Sequence, residues 1–444
     1  MRRQFHRSKR KLLSPVAWKA RLALWGGALL VGLVATGFAV ASDGANGIFL
    51  ALIDVSPWLA LAVAPAGLML ATWLTIRFFP GAEGSGIPQT LASLEARPGE
   101  GLRSAVLSMR VAVGKILLAL LGLCSGASIG REGPTVHIGA AIMFTMGRVV
   151  RFPPHYMERA LIMAGGAAGV GAAFNTPLAG VVFAIEEIAR SFEERTNGIV
   201  LTGVIFAGLV SMALLGNYHY FGSTSATLDR LGDWVVVPVC GVLGGFLGGA
   251  FSQFLISGSR RLAGFHRRHP LWVAGLCGLA VAAIGLYSGN LTYGTGYHEA
   301  KQAVTQGEAL SPGYPFLKMA ATIASYLSGI PGGIFAPSLA TGAGLGADLA
   351  AWFPDTPAGA VIILGMVGYF TGVVQTPLTA FVIVMEMTDN PSMLLPLMAT
   401  AFIADGVSKI ICPEPIYRVL ARAFVPAAKA RPETAEPTSS RENP

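Results

Sequence analysis

The feature that most constrains this chain is a series of long apolar runs, uncharged or nearly so, several of them interrupted near the middle by glycine and proline. Leu22–Ala41, Val55–Ile76, Ile199–Leu215, Trp234–Ser257 and Leu271–Tyr287 read as continuous runs, close to the roughly 20 residues a helix needs to cross a bilayer. Ala160–Ile185 is instead broken at Phe174-Asn175-Thr176-Pro177, Met319–Ala347 at Gly329-Ile330-Pro331-Gly332-Gly333, and Thr356–Met385 at Gln375-Thr376-Pro377. Ile116–Gly130 and Gly133–Gly147 are too short to span. Proline suits the first turn of a helix but removes a hydrogen bond from its interior. Each break therefore predicts one helix ending and another beginning inside the membrane. Non-helical backbone survives there only when it is buried in protein or lines a polar cavity, so the breaks are where function is expected.

Composition supports this reading. Hydrophobic residues make up 53% of the 444 and charged residues 13%, against about 25% charge in a soluble domain. That excludes a disordered chain and a nucleic-acid-binding module and argues against an ordinary soluble enzyme. No nucleophile–base pair or metal motif such as HExxH occurs at membrane depth, so no enzyme, metal or cofactor is expected. Cys124, Cys240, Cys277 and Cys412 have no metal-ligand or disulfide spacing and read as small buried hydrophobes. Net charge is +8. Arg2, Arg3, Arg7, Lys9, Arg10, Lys11, Lys19 and Arg21 precede the first apolar run with no acid among them. By the positive-inside rule this segment is cytoplasmic, as is the loop of Arg260, Arg261, Arg267 and Arg268. The first run is longer than a signal-peptide core of about 7–15 residues, so it reads as a retained helix. The expected organisation is a basic cytoplasmic segment 1–21, membrane halves 22–215 and 216–424, and a disordered cytoplasmic tail 425–444. A bacterial inner membrane is the expected location.

The two halves repeat. Asn175-Thr176-Pro177-Leu178 with Glu186 recurs as Gln375-Thr376-Pro377-Leu378 with Glu386, 200 residues on. The segment ending at Pro134 recurs at Pro337, 203 residues on. Broken helices at matching places of two halves mark a transporter whose site lies between the repeats.

Three breaks carry glycine followed by proline: Gly84-Ser85-Gly86-Ile87-Pro88, Gly130-Arg131-Glu132-Gly133-Pro134, and Gly333-Ile334-Phe335-Ala336-Pro337. Glycine leaves the backbone approachable. A helix N-terminus adds unpaired N–H donors and about half a positive charge. Three such ends converging would hold an anion without a full positive charge, which suits an ion that must also leave.

Taken together, these motifs resemble the CLC family of chloride channels and chloride/proton exchangers over nearly the whole chain. Pro415-Ile416-Tyr417, followed by Leu420-Ala421-Arg422, resembles the family's last helix. The resemblance implies an all-α membrane protein of two inverted-topology repeats with broken, tilted helices. It implies a lipid-embedded homodimer with one pathway per subunit, and chloride and protons as the ions carried. It implies that Ser85 and Tyr417 offer hydroxyls to chloride and that Ile334 and Phe335 offer backbone N–H groups. Gly84, Gly86, Pro88, Arg131, Gly133, Pro134 and Gly333 would shape the loops, with Lys115 supporting. Serine at position 85, where nitrate-preferring relatives carry proline, points to chloride. The intact first two motifs argue against a fluoride-selective relative.

An ionisable group at membrane depth is a functional hypothesis by default, and Glu132 lies where anions should be attracted. As a carboxylate it would block the path; protonated, it would swing away. Adjacent helical residues do not face each other, which weakens a Glu132–Arg131 salt bridge as the alternative. Glu187 matches the family's inner glutamate, found in exchangers, with a solvated acid beside Arg190 as the plain alternative. His137 reads as packed or capping, Glu386 as structural, and Gly241–Gly249 as a helix-packing surface. Two departures stand out. Gln89-Thr90-Leu91 follows the first motif where exchangers carry acids, which would weaken proton loading. The paired nucleotide-sensing domains of many relatives are also not expected. Chloride/proton exchange is the first reading and a passive chloride channel on the same fold the alternative.

Overall fold

A computed structural model describes residues 15–96, 101–150, 156–189, 194–216, 218–307, 310–311 and 313–425. The basic cluster up to Lys11, Arg190 and the tail from residue 426 lie outside them. The first half contains α1 (Pro15–Val55), α2 (Ala60–Phe78), α3 (Ile87–Glu95), α4 (Leu102–Val106), α5 (Met109–Leu123), α6 (Glu132–Val149), α7 (Tyr156–Phe174), α8 (Pro177–Phe183) and α9 (Glu194–Leu215). The second contains α10 (Val236–Arg268), α11 (Pro270–Tyr287), α12 (Tyr297–Gln306), α13 (Tyr314–Leu327), α14 (Phe335–Ala350), α15 (Ala358–Val374), α16 (Pro377–Thr388), α17 (Leu394–Ile411) and α18 (Ile416–Ala421).

The glycine–proline breaks are helix boundaries. α7 stops at Phe174 and α8 starts at Pro177; α15 stops at Val374 and α16 starts at Pro377. Asn175 and Gln375, at matched places, both take left-handed φ, 56° and 55°. A left-handed residue ends the first helix, and proline, needing no N–H, begins the next. The first apolar run continues further than its composition suggests: α1 is 41 residues long and passes through Ser42-Asp43-Gly44 to Val55.

The packing repeats as the sequence does. In the first half α6 lies on α7 and α7 on α9; in the second α14 lies on α15 and α15 on α17. α1 and α10 occupy equivalent places against these bundles, and α2 packs on α11. α6, α14 and α15 are buried along almost their whole length. The outer helices expose large apolar side chains, among them Leu33, Val40, Leu209, Phe246, Phe254 and Leu395. Among the described residues, 7 helical stretches are long and apolar enough to cross a membrane. The chain is thus an integral membrane protein whose inner helices are shielded from lipid by outer ones.

Glycines on α10 allow close backbone approaches. A side chain at Gly244 would meet the Gly368 backbone, one at Gly245 the Ala404 backbone, and one at Gly248 the backbone of Tyr369 and Gly372. α10 is therefore held between α15 and α17 by backbone contact, as small-residue faces allow in lipid.

Candidate anion pathway

The three signature loops meet. Gly130 and Gly333 exchange two backbone hydrogen bonds of 2.7 Å each, forming an isolated antiparallel bridge. Gly84 N–H donates to Ile330 O, and Gly332 N–H donates to Gly84 O, both at 3.2 Å. Loops from 203 to 248 residues apart are thus joined backbone to backbone, and this joining aims the first turns of α3, α6 and α14. Gly86 must be glycine: its φ is +103°, and a side chain there would stand 2.8 Å from both Gly133 O and His137 Cβ.

Ser85 is fully buried, and the N-cap of α3 is Gly86 with no side-chain cap bond. The Ser85 hydroxyl is therefore not used in capping α3. Its hydroxyl faces that of Tyr417, at the start of α18. Among the described residues neither oxygen has a further hydrogen-bond partner, and Tyr417 is 1% exposed. Two buried hydroxyls with no partner beyond each other carry a desolvation cost that a bound ion or water would relieve. Ile334 is the N-cap of α14 and Phe335 its first residue, both buried. The Phe335 ring meets Phe183 at 6.0 Å, Phe370 at 4.9 Å and Tyr417 at 5.8 Å between centroids. These rings wall the space beside the hydroxyls with apolar surface.

Glu132 is the first residue of α6 and is fully buried. One carboxylate oxygen accepts a 3.4 Å hydrogen bond from Ala336 N–H in the first turn of α14; the other has no hydrogen-bond partner among the described residues. The carboxylate thus lies against two helix N-termini at once. Arg131 turns away from it. Its guanidinium donates to Asp43 at 2.8 Å and to Ala39 O at 2.6 Å on α1, and it stands 5.6 Å over the Tyr220 ring. Pro134 and Gly133 are buried in the first turn of α6, and a side chain at Gly133 would strike Ser85.

Lys115, on α5, is fully buried, and its ammonium donates to the carbonyls of Ala82, Glu83 and Gly84 at 2.9, 3.2 and 3.0 Å. It therefore supports the Ser85 loop directly. Gln89 adds bonds to Gly81 O at 3.3 Å and Glu83 O at 2.6 Å. Pro88 is buried in the first turn of α3. His137 is packed, with Nε2 2.8 Å from Val106 O.

Glu187 lies in a π-helical turn, Ala184–Ala189, that continues α8, and it is 1% exposed. It is not a solvated surface acid. Its neighbour Glu186 reaches across the molecule and accepts from Leu378 N–H at 3.0 Å and Thr379 N–H at 2.6 Å. Glu386 returns the contact to Leu178 N–H at 3.2 Å and Ala179 N–H at 2.7 Å. Each half caps the broken helix of the other.

Some residues of this region escape a reading of the sequence. Lys318 donates to the carbonyls of Thr292, Tyr293 and Gly294 at 2.9, 3.3 and 2.8 Å. It lies 203 residues after Lys115, the same offset as Pro134 and Pro337, and that offset was the available signal. Asp43, the partner of Arg131, lies just past the first apolar run with nothing in sequence to link the two.

From Ser85 a cavity of about 600 Å³ opens between α3, α10, α13 and the turn after α18, ending among the basic residues of α10. Convergent helix ends, buried hydroxyls, a buried carboxylate and an approach cavity between inverted repeats define a polytopic membrane transport protein. A sequence model described as voltage gated chloride channel matches residues 67–409. The H(+)/Cl(-) exchange transporter ClcA of Yersinia pestis is 32% identical over 385 residues, covering 82% of this chain and 77% of that protein. The transporter of the same name from Cronobacter sakazakii is 32% identical over 405 residues, covering 84% and 83%. A solved slow cyanobacterial Cl-/H+ antiporter aligns with a TM-score of 0.80 at 26% identity, over 93% of this chain and 99% of that one. A CLC-type fluoride/proton antiporter, at 24% identity and a TM-score of 0.77 over 92% of this chain and 99% of that one, shares the fold. The chain belongs to the voltage-gated chloride channel family, known as CLC.

Proposed function

We propose that this protein exchanges chloride for protons across a bacterial inner membrane, with Glu132 as gate and proton carrier. The observation that carries the proposal is the Glu132 carboxylate, buried against the first turns of α6 and α14 where an anion would be attracted. An ionised carboxylate there competes with chloride for the same N–H donors; a protonated one loses that attraction and yields the place. Ser85 and Tyr417 would hold chloride by their hydroxyls, and Ile334 and Phe335 by backbone N–H groups. Gly84, Gly86, Pro88, Gly133, Pro134 and Gly333 give these loops their close approach, while Lys115 and Arg131 fix them from behind.

Glu187 would hand protons between the cytoplasm and Glu132. Its burial supports this, and so does its repeat counterpart, which is the buried apolar Met387. An acid that the fold does not require in both halves has a reason other than packing. The bacterial relatives named as H(+)/Cl(-) exchange transporters support the same reading. A homodimer with cytoplasmic termini, one pathway in each lipid-embedded subunit, completes the proposal and rests on family membership. A passive chloride channel is the competing reading; Gln89 at a position where exchangers carry an acid favours weak coupling over strong.

The test uses purified protein in sealed liposomes under an outward chloride gradient, with voltage clamped by an ionophore and external pH recorded. Proton movement against its own gradient is expected. It should vanish in Glu132→Ala and in Glu187→Ala while chloride still crosses. Chloride flux with no proton movement in the unsubstituted protein overturns exchange in favour of a channel.

A further inference from the structure

The cavity that reaches Ser85 is lined by few charges, and they nearly cancel. Glu83 projects from the loop before α3, and Arg267 comes from the last turn of α10. His266, half-buried, is also in the lining and within electrostatic reach of Glu83. Gly329 makes room for the imidazole: its φ is +84°, and a side chain there would stand 2.6 Å from His266 Cε1. The other polar groups facing this space are accounted for. Tyr326, from α13, brings a neutral phenol. Lys115 lies behind the loop with its ammonium on three carbonyls. On the C-terminal side the walls are Leu420, Ala423 and Phe424, and Arg422 is paired with Glu414. Arg260, Arg261 and Arg268 are exposed on α10 outside the lining.

With Glu83 and Arg267 offsetting each other, the protonation of His266 decides whether the approach to Ser85 is neutral or cationic. We propose that His266 is a proton-sensitive selector of anion entry from the side of the basic loop. As imidazolium it raises the local chloride concentration at Ser85; as neutral imidazole it leaves the approach without net charge. A narrow, low-dielectric cleft focuses such a charge, and steering of this kind changes ion capture by about tenfold or more. Histidine is the side chain that changes charge near neutral pH. The inference rests on the reading that anions pass Ser85, and it adds a second proton-dependent step, distinct from the one at Glu132.

The experiment measures the half-saturating chloride concentration on the basic-loop side, in oriented proteoliposomes of the full chain carrying Glu132→Ala. That background removes the gating carboxylate from the pH profile. Half-saturation is expected to rise roughly threefold to tenfold from about pH 4.5 to about pH 8. Adding His266→Gln should flatten the profile at the weak value. Adding His266→Lys, a fixed cation, should flatten it at the tight value and also shows that the position tolerates replacement. Adding Glu83→Gln should tighten capture throughout. An equal pH slope in His266→Gln overturns the proposal. So does a weak value in a His266→Lys protein that elutes as the unsubstituted one does. Proton coupling of the protein without Glu132→Ala is recorded separately, so failure of exchange is distinguishable from failure of the histidine's role.

Discussion

Lys115 and Lys318 spend buried charges on backbone carbonyls, three apiece. A buried ammonium is tolerated because its three donors are all used, and the carbonyls it reaches would otherwise be left in an apolar interior. Their loops differ in consequence. The Lys115 loop presents Ser85 to a cavity. The loop held by Lys318 is filled: a side chain at Gly296 would meet Ala340 and Lys318 at once. Replacing either lysine by methionine removes a shared donor and should cost about 1–3 kcal/mol, seen as a lower thermal midpoint in detergent. Chloride flux at matched folded protein should fall sharply in Lys115→Met and stay near the unsubstituted level in Lys318→Met. Equal flux losses in the two would contradict a direct role for the Ser85 loop.

Short helices create the next problem, because each has an N-terminus without intrahelical partners. α8 and α16 solve it reciprocally through Glu386 and Glu186. These caps are charge-assisted and tie the halves together at their breaks. In the first half the acid sits in a π turn, the rare helix form that recurs at functional sites; in the second it sits in the regular helix α16. The difference lets one half carry a capping acid and a buried acid side by side. Glu186→Ala and Glu386→Ala should each cost about 1–2 kcal/mol, the usual value of a lost cap. The number of chloride ions moved per proton should be unaltered, in contrast to Glu187→Ala. A changed ratio in Glu386→Ala would show that this cap belongs to the proton route.

Across the whole molecule the proposed pathway is built at joints between halves: the Gly130–Gly333 bridge, the Gly84–Pro331 bridge, and the Ala336 N–H on Glu132. An ion seated there should stabilise the fold by linkage. Raising chloride to about a hundredfold over its dissociation constant should add about 2.7 kcal/mol, read as a rise in thermal midpoint. Ser85→Ala with Tyr417→Phe should abolish most of that rise, while sulfate substituted for chloride should produce none. A chloride-dependent rise that persists in the double variant would place the ion elsewhere.

Much of this architecture could be read along the chain. The helix boundaries at Pro177 and Pro377, the repeat, the three signature loops and the candidacy of Glu132 all follow from local chemistry. Proline, glycine and left-handed residues act on their own backbone, and an acid in an apolar run is conspicuous wherever it lies. Partnership across the fold is a different matter. That Lys115 holds carbonyls 82 to 84, that Arg131 turns to Asp43, that Glu186 caps α16, and that His266 and Glu83 share one cavity were decided only by tertiary packing. Those contacts join positions tens to about two hundred residues apart, and no local preference for helix or turn specifies which side chains meet there. The sequence alone determined where helices break and which residues face the cost of burial; the packing of one half against the other determined how that cost is met.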